Sequence, residues 1–419
     1  MDDEPDYRIA AGGGVPWRDL SMEETHRPPE RDIEITNVET MAIAGNFTWG
    51  IVKVETDAGV YGLGETFRAE AALDMAERLL VDLEGENPLD IDRITALLNQ
   101  RYTGSGRIGQ AAFTGIETAC WDIKGKVLDA PVYELLGGKY RDRVKVYCDT
   151  HGGESLGEAA GRDPKEVYTP ESYARAAREV VDEGFEALKF DLDVLTHATD
   201  TAARRLDNAA VEHKVDLVEA VREEIGYDVD LGMDLHWNFT TETAARIGKK
   251  LEPYDLAWLE DPVPPEQVEG HRHLREKLDV PLLTGENIMT ASRFADLASA
   301  GAMDIAAPDV NKCGGLWELR KIALVCELQG ISLSPHNLSS PLGTVAGAHV
   351  CATFPNFLAL EFHARDVPWW GDLVRRVDDP DAPIIEDGYI DLPEGPGLGV
   401  ELDPTVAERY LTDGSSLVV

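Results

Sequence analysis

Eight short apolar runs, each separated from the next by an amphipathic helical stretch, restrict the fold of this chain more than any other feature. They read VKVYCD, EALKFD, DVDLGMD, DLAWLED, VPLLTGE, MDIAAPD, ISLSPH and FLALEFH, and most end in a polar or charged residue. Strands that alternate with helices build βαβ units and a parallel sheet. Eight such units in about 220 residues suit a (β/α)8 barrel, with an open doubly wound sheet as the alternative. The opening third has a different grammar. IEITNVETMAIAG, WGIVKVET and VYGLGE form a strand meander around Asp57-Ala58-Gly59, and three helical stretches follow, the last being GQAAFTGIETACWDIKGKVL. The predicted organisation is α/β: an N-terminal arm over 1–31, an α+β domain over 32–141, a barrel over 142–363 and a C-terminal segment over 364–419. That last segment, rich in Gly and Pro, is expected to return to the first domain and not to extend the barrel.

In such a barrel the active site lies at the C-terminal ends of the strands. The strand-ending side chains are Lys189 and Asp191, Asp234 and His236, Glu260, Glu286, Asp309, His336 and Glu361. Asp234, Glu260 and Glu286 follow one another at equal intervals of 26 residues, one βα repeat each, which predicts three carboxylates side by side on the rim. Three convergent carboxylates without cysteine form a hard, all-oxygen site that suits Mg²⁺. The inference needs all three together, because acids are abundant here: Lys+Arg 39 against Asp+Glu 78, a net charge of −39. The excess is spread along the chain, as expected of a halophilic protein in which salt screens self-repulsion. No basic stripe exists to neutralise phosphates, so nucleic acid is excluded as a partner. No run approaches the ~20 apolar residues of a membrane span, and the acidic start MDDEPDY is unlike a signal peptide, so a cytoplasmic location is expected. The five scattered cysteines predict buried free thiols.

The ordered series GIETACWDIKGKVLDAPVYELLGGK, LKFD, MDLHWNF, WLEDPVPPE, TGEN, PDVNKCGG, SPHNLSSPLG and LALEFH resembles the mandelate racemase branch of the enolase superfamily, from about Ile33 to Val400. The resemblance implies a modified TIM barrel under an α+β capping domain built from both chain ends. Its specificity loops would lie around Asn46–Gly50 and Arg101–Arg107. It implies one Mg²⁺ per subunit on Asp234, Glu260 and Glu286, a general base His336 oriented by Asp309, and Lys189 on the opposite face of the substrate α-carbon. Glu361 would hydrogen-bond the substrate carboxylate as a protonated acid. Asp191, Asn46 and Trp370 are assigned to substrate binding. The family also implies a homo-oligomer, dimeric or octameric.

His236 decides between reactions. A racemase or epimerase needs two bases, which Lys189 and His336 could supply; a dehydratase needs a base and an acid for the departing 3-hydroxyl. His236, two residues after Asp234, shares the barrel mouth, and members with histidine there resemble galactonate- and mannonate-type dehydratases, while the overall match resembles the sugar-acid dehydratases for xylonate and gluconate. Lys189-Phe190-Asp191 departs from the Lys-x-Lys of racemases. The expected activity is dehydration of an aldonic acid to its 2-keto-3-deoxy acid through a metal-stabilised enediolate. A racemase and a non-catalytic sugar-acid-binding relative are the alternatives. Gly104–Gly109 fits GxGxxG but follows a helix and not a strand, so it does not mark a dinucleotide site. His271 and His273 share a charged helix and are expected in solvent.

Overall fold

The computed structural model describes residues 31–67, 70–102, 104–152, 167–193 and 205–419. The expected N-terminal arm, apart from Arg31, lies outside them. The first three strands, β1 (Ile35–Ala44), β2 (Thr48–Thr56) and β3 (Tyr61–Thr66), form an antiparallel sheet in the order β1-β2-β3. Helix Gly106–Leu128 lies across this sheet. Gly62 and Gly64 permit that approach, since a Cβ at either would collide with the carbonyl oxygen of Ala119 or Gly115.

Eight parallel strands follow: β4 (Arg143–Thr150), β5 (Ala187–Asp191), β6 (Asp230–Asp234), β7 (Trp258–Glu260), β8 (Leu282–Thr284), β9 (Ile305–Ala306), β10 (Ser332–Leu333) and β11 (Leu360–Phe362). They pair in chain order, and β11 returns to pair with β4. The ring closes where Leu333 exchanges backbone hydrogen bonds with Asn356 and Leu358, both 2.7 Å. All eight predicted runs are therefore strands of one barrel, capped by the α+β domain. Tyr147 and Trp258 meet edge-on at 5.1 Å inside it, packed with Leu283, Ile305 and Ala359.

The C-terminal segment divides its contacts. β12 (Val374–Arg376) pairs with β14 (Val400–Leu402). Contrary to expectation, β13 (Tyr389–Asp391) does add to the barrel sheet, antiparallel to the start of β4, with Ile390 opposite Val144. The segment meets the cap both before β13, where Asp366 accepts from Asn46 Nδ2–H (2.8 Å), and after it. Leu398 N–H donates to Asp122 of the cap helix (2.9 Å), and Thr412 N–H donates to the Ala42 carbonyl of β1 (2.9 Å). The five cysteines are free and buried. His271 differs from expectation: it is fully buried while His273 is exposed. Helix Val268–Lys277 places its charges on one face and lays His271 and Leu274 against the barrel on the other.

Two buried cap carboxylates join the layers. Glu65 accepts from Ser340 N–H (2.9 Å), Ser340 Oγ–H (2.5 Å) and Gly343 N–H (3.0 Å) at the start of helix Pro341–Cys351. Glu117 accepts from Leu316 N–H (2.7 Å), Trp317 N–H (2.9 Å) and Trp121 Nε1–H (2.8 Å) at the start of helix Leu316–Glu327. Each satisfies orphan N–H groups at a positive helix end. Burial nevertheless outweighs these donors and pushes both carboxyls up to about 7. A folded value above the ordinary 4.5 means stability present in acid and lost as pH rises through about 7. Urea unfolding across that window is expected to show falling stability. Glu117→Gln should remove up to about 1.4 kcal/mol per pH unit of the slope; an unchanged slope would show that Glu117 does not titrate there.

Candidate active site

The rim is set by strand register. Asp191 of β5 stands opposite Asp234 of β6, which stands opposite Glu260 of β7, so three carboxylates occupy one level of the sheet. Lys189, two residues before Asp191, shares its face. Its buried ammonium lies 3.1 Å from Asp234 Oδ2, 3.2 Å from Glu260 Oε2, 2.8 Å from Glu361 Oε1 and 3.8 Å from Asp149 Oδ2. Burial alone would lower its pKa, but Asp149, Glu260 and Glu361 together hold it well above the ordinary lysine value. Glu260 is pushed up by its own burial, and its Oε1 has no hydrogen-bond partner among the described residues.

Glu286 lies beyond the end of β8, past Gly285, whose φ of +142° suits glycine. Its Oε2 is 2.8 Å from His336 Nε2, and its Oε1 accepts from Asn287 Nδ2–H (2.5 Å). Despite burial, His336 and Lys312 hold this carboxyl well below the usual range. His336 Nδ1 meets Asp309 Oδ2 at 2.5 Å, and Asp309 Oδ1 accepts from Asn311 N–H (2.7 Å), which fixes the carboxylate plane. Burial works against a charged imidazole at His336, yet Glu286, Glu361 and Asp309 raise it to about 10.

After β6 the backbone curls through two left-handed residues, His236 (φ 41°) and Trp237 (φ 49°), a conformation non-glycine residues adopt at a cost. His236 N–H to Asp234 Oδ1 (2.8 Å) and Trp237 N–H to the Asp261 carbonyl (2.6 Å) hold the curl. It delivers the His236 ring, one-third exposed, to the mouth. There Nδ1 is 3.1 Å from Asp193 Oδ1, which Asn238 holds from the far side (2.5 Å). Burial lowers its pKa, but Asp234, Asp193 and Asp191 outweigh that and raise it to about 12.

Other expected site residues are placed differently. Glu361 Oε1 lies 2.8 Å from the Lys189 ammonium, and its Oε2 accepts from Asn337 N–H (2.9 Å). The Asn46 amide nitrogen is turned to the His363 carbonyl (2.9 Å) and Asp366 (2.8 Å), tying the cap loop to the barrel. Trp370 is buried, donates to the Ser339 carbonyl (3.1 Å) and packs edge-on against Phe362; its one donor is used inside the protein. Sequence reading passed over Asp193, Asp149, Lys312 and His151. Lys312 is buried 3.1 Å from Asp309, and His151 is 3.5 Å from Asp191. Asp149, His151 and Asp193 lie at or just past strand ends, the position that marked the others, whereas Lys312 lies six residues beyond β9.

Two donor sets share Asp234. Asp191, Asp234 and His236 offer ligand atoms within 4.8 Å of one another, whereas Asp234, Glu260 and Glu286 are not drawn together that closely among the described residues. The oxygen-only chemistry of Asp234, Glu260 and Glu286 would suit Mg²⁺, and Glu260 Oε1, without a hydrogen-bond partner among the described residues, is an atom a cation would satisfy.

Fold and site together define a capped (β/α)8-barrel enzyme with a carboxylate-lined acid–base centre. Residues 27–137 match the mandelate racemase / muconate lactonizing enzyme N-terminal domain, and residues 172–406 match the enolase C-terminal domain-like family. The chain is 42% identical to a D-xylonate dehydratase of Haloferax volcanii over 96% of this chain and 95% of that one. It is 31% identical to a D-galactonate dehydratase of Xanthomonas euvesicatoria over 90% and 94%. Among solved structures, a mandelate racemase/muconate lactonizing enzyme-like protein from Rubrobacter xylanophilus superposes with a TM-score of 0.87 at 37% identity, covering 93% of this chain and 100% of that one. The chain belongs to the enolase superfamily, in its mandelate racemase / muconate lactonizing enzyme branch, and is a hydro-lyase of that superfamily.

Proposed function

We propose that the enzyme dehydrates an aldonic acid to its 2-keto-3-deoxy acid, with Mg²⁺ held by Asp234, Glu260 and Glu286. The observation that carries this reading is a pair of histidines at one barrel mouth, each backed by its own carboxylate: His336 by Asp309 and His236 by Asp193. β-Elimination needs one base and one acid, and two such pairs are its minimal equipment. His336 Nε2 takes the C2 proton. The electron pair forms the C2–C3 double bond as the C3–oxygen bond breaks, and His236 delivers a proton so that the hydroxyl leaves as water. The enol then tautomerises to the ketone. Mg²⁺, when bound, supplies positive charge opposite the substrate carboxylate and the charge that spreads onto it during proton removal. Lys189 presents a second cation to the same region, and Asp191 an acceptor for sugar hydroxyls. The relatives named D-xylonate and D-galactonate dehydratase support an aldonic acid as substrate, and the acidic surface supports activity at high salt.

The test is semicarbazide detection of 2-keto acid across a set of five- and six-carbon aldonic acids, with Mg²⁺ in molar KCl. His236→Asn is expected to lose dehydration by about 10²-fold or more while C2 hydrogen exchange continues. Dehydration at the wild-type rate would remove His236 as the acid. Exchange without keto acid in the wild type would replace dehydration by epimerisation.

A further inference from the structure

A chain of side chains runs from the cap into the centre. Arg107, in the first turn of cap helix Gly106–Leu128, donates from Nη1 to Asn287 Oδ1 (2.8 Å). The Asn287 amide then donates from Nδ2 to Glu286 Oε1 (2.5 Å). Glu286 Oε2, the oxygen left over, faces His336 Nε2 at 2.8 Å. Asn287 thus has its carbonyl spent on the cap and its amide spent on the carboxylate, so neither end can turn without breaking a bond at the other. The far end of the same chain is also touched by the cap. His336 leads to Asp309, Asp309 to Lys312, and the Lys312 ammonium lies 4.0 Å from the ring centre of Phe67, just past β3.

We propose that Arg107 and Asn287 are positioning residues through which the cap fixes the carboxylate plane of Glu286 and so sets the affinity of the site for Mg²⁺. The inference rests on the reading of Glu286 as a metal ligand. The physical reason is that Glu286 stands on a turn beyond its strand, not in register with Asp234 and Glu260, so the sheet alone does not orient it. Asn287 holds Oε1, so that Oε2, which faces His336 Nε2, is the oxygen turned toward the centre for an ion to meet, and Arg107 prevents the amide from rotating. Groups that orient a ligand in this way are commonly worth about 10- to 100-fold in metal affinity.

The experiment is calorimetric titration of Mg²⁺ into the substrate-free protein in molar KCl. Asn287→Ala is expected to weaken binding by about 10- to 100-fold. Arg107→Met is expected to weaken it by several-fold, with recovery in Arg107→Lys, which keeps a donor. Asn287→Ala combined with Arg107→Met should bind no more weakly than Asn287→Ala alone, because the arginine acts through the amide. Wild-type affinity in Asn287→Ala, or additive losses in the double variant, would overturn the proposal. If Asn287→Ala does not fold, exposed Arg107 carries the test through the Met and Lys pair; equal affinities there overturn it. Glu286→Gln separates the two readings: if it binds Mg²⁺ as the wild type does, the metal assignment has failed and not the link to the cap.

Discussion

His336→Asn is expected to reduce both dehydration and C2 hydrogen exchange by about 10²- to 10⁴-fold. Asparagine occupies similar space near the backbone but has no nitrogen that can take a proton at the position of Nε2. The rest of the arrangement would persist: Asp309 remains held by Asn311 N–H and Lys312, and Glu286 by Asn287. Loss of both readouts together distinguishes this residue from His236, whose removal should spare exchange. Deuterium incorporation at C2 measured beside keto-acid release checks it, and exchange surviving at the wild-type rate would assign the base elsewhere. Magnesium affinity measured on the same variant separates loss of the base from damage to the carboxylates.

Lys189→Met should damage the protein before it damages the chemistry. The ammonium is the shared partner of Asp149, Asp234, Glu260 and Glu361, all buried. Removing one partner from a buried charge cluster leaves the others uncompensated, typically at 3–5 kcal/mol. Urea unfolding without Mg²⁺ is therefore expected to show a loss of about that size. Added Mg²⁺ should stabilise the variant more than the wild type, because the ion binds the folded carboxylates and not the unfolded chain. Equal stability of variant and wild type without Mg²⁺ would mean that the carboxylates do not depend on the lysine. Turnover should fall as well, since the proposed mechanism uses the Lys189 cation beside the substrate.

The two variants probe parts of the site that were legible to different degrees. The His336–Asp309 pair could be anticipated because both residues end strands of adjacent βα units, and adjacent strand ends meet in a closed barrel. The Lys189 cluster could not. A lysine at a strand end predicts a cation at the mouth, but four carboxylates converging on it depend on where β4, β6, β7 and β11 stand around the ring. Asp149 and Asp193 escaped notice for a related reason. In a chain with 78 acids, a single carboxylate carries no mark of burial until its neighbours are known. Glu65 and Glu117 illustrate the same limit far from the chemistry. Each sits in an ordinary strand or helix sequence, and its function as a cap for a barrel helix arises from residues roughly 200 or more positions away.

What the sequence determined by itself was whatever repeats locally: eight apolar runs at βα spacing, hence the barrel, and polar residues at their ends, hence the rim. The intervals of 26 residues placed Asp234 and Glu260 correctly as register neighbours. They placed Glu286 in the same row, but it stands out of register on a turn beyond its strand, gripped by Asn287 and, through it, by Arg107 of the cap. Asn46 and Trp370 likewise had the right residue types for binding a polyol, and the tertiary structure spent their donors on cap–barrel contacts. Periodicity reports which face of an element is turned inward. Which inward groups meet, and which of their donors and acceptors remain for a ligand, is decided only when distant segments close around one another.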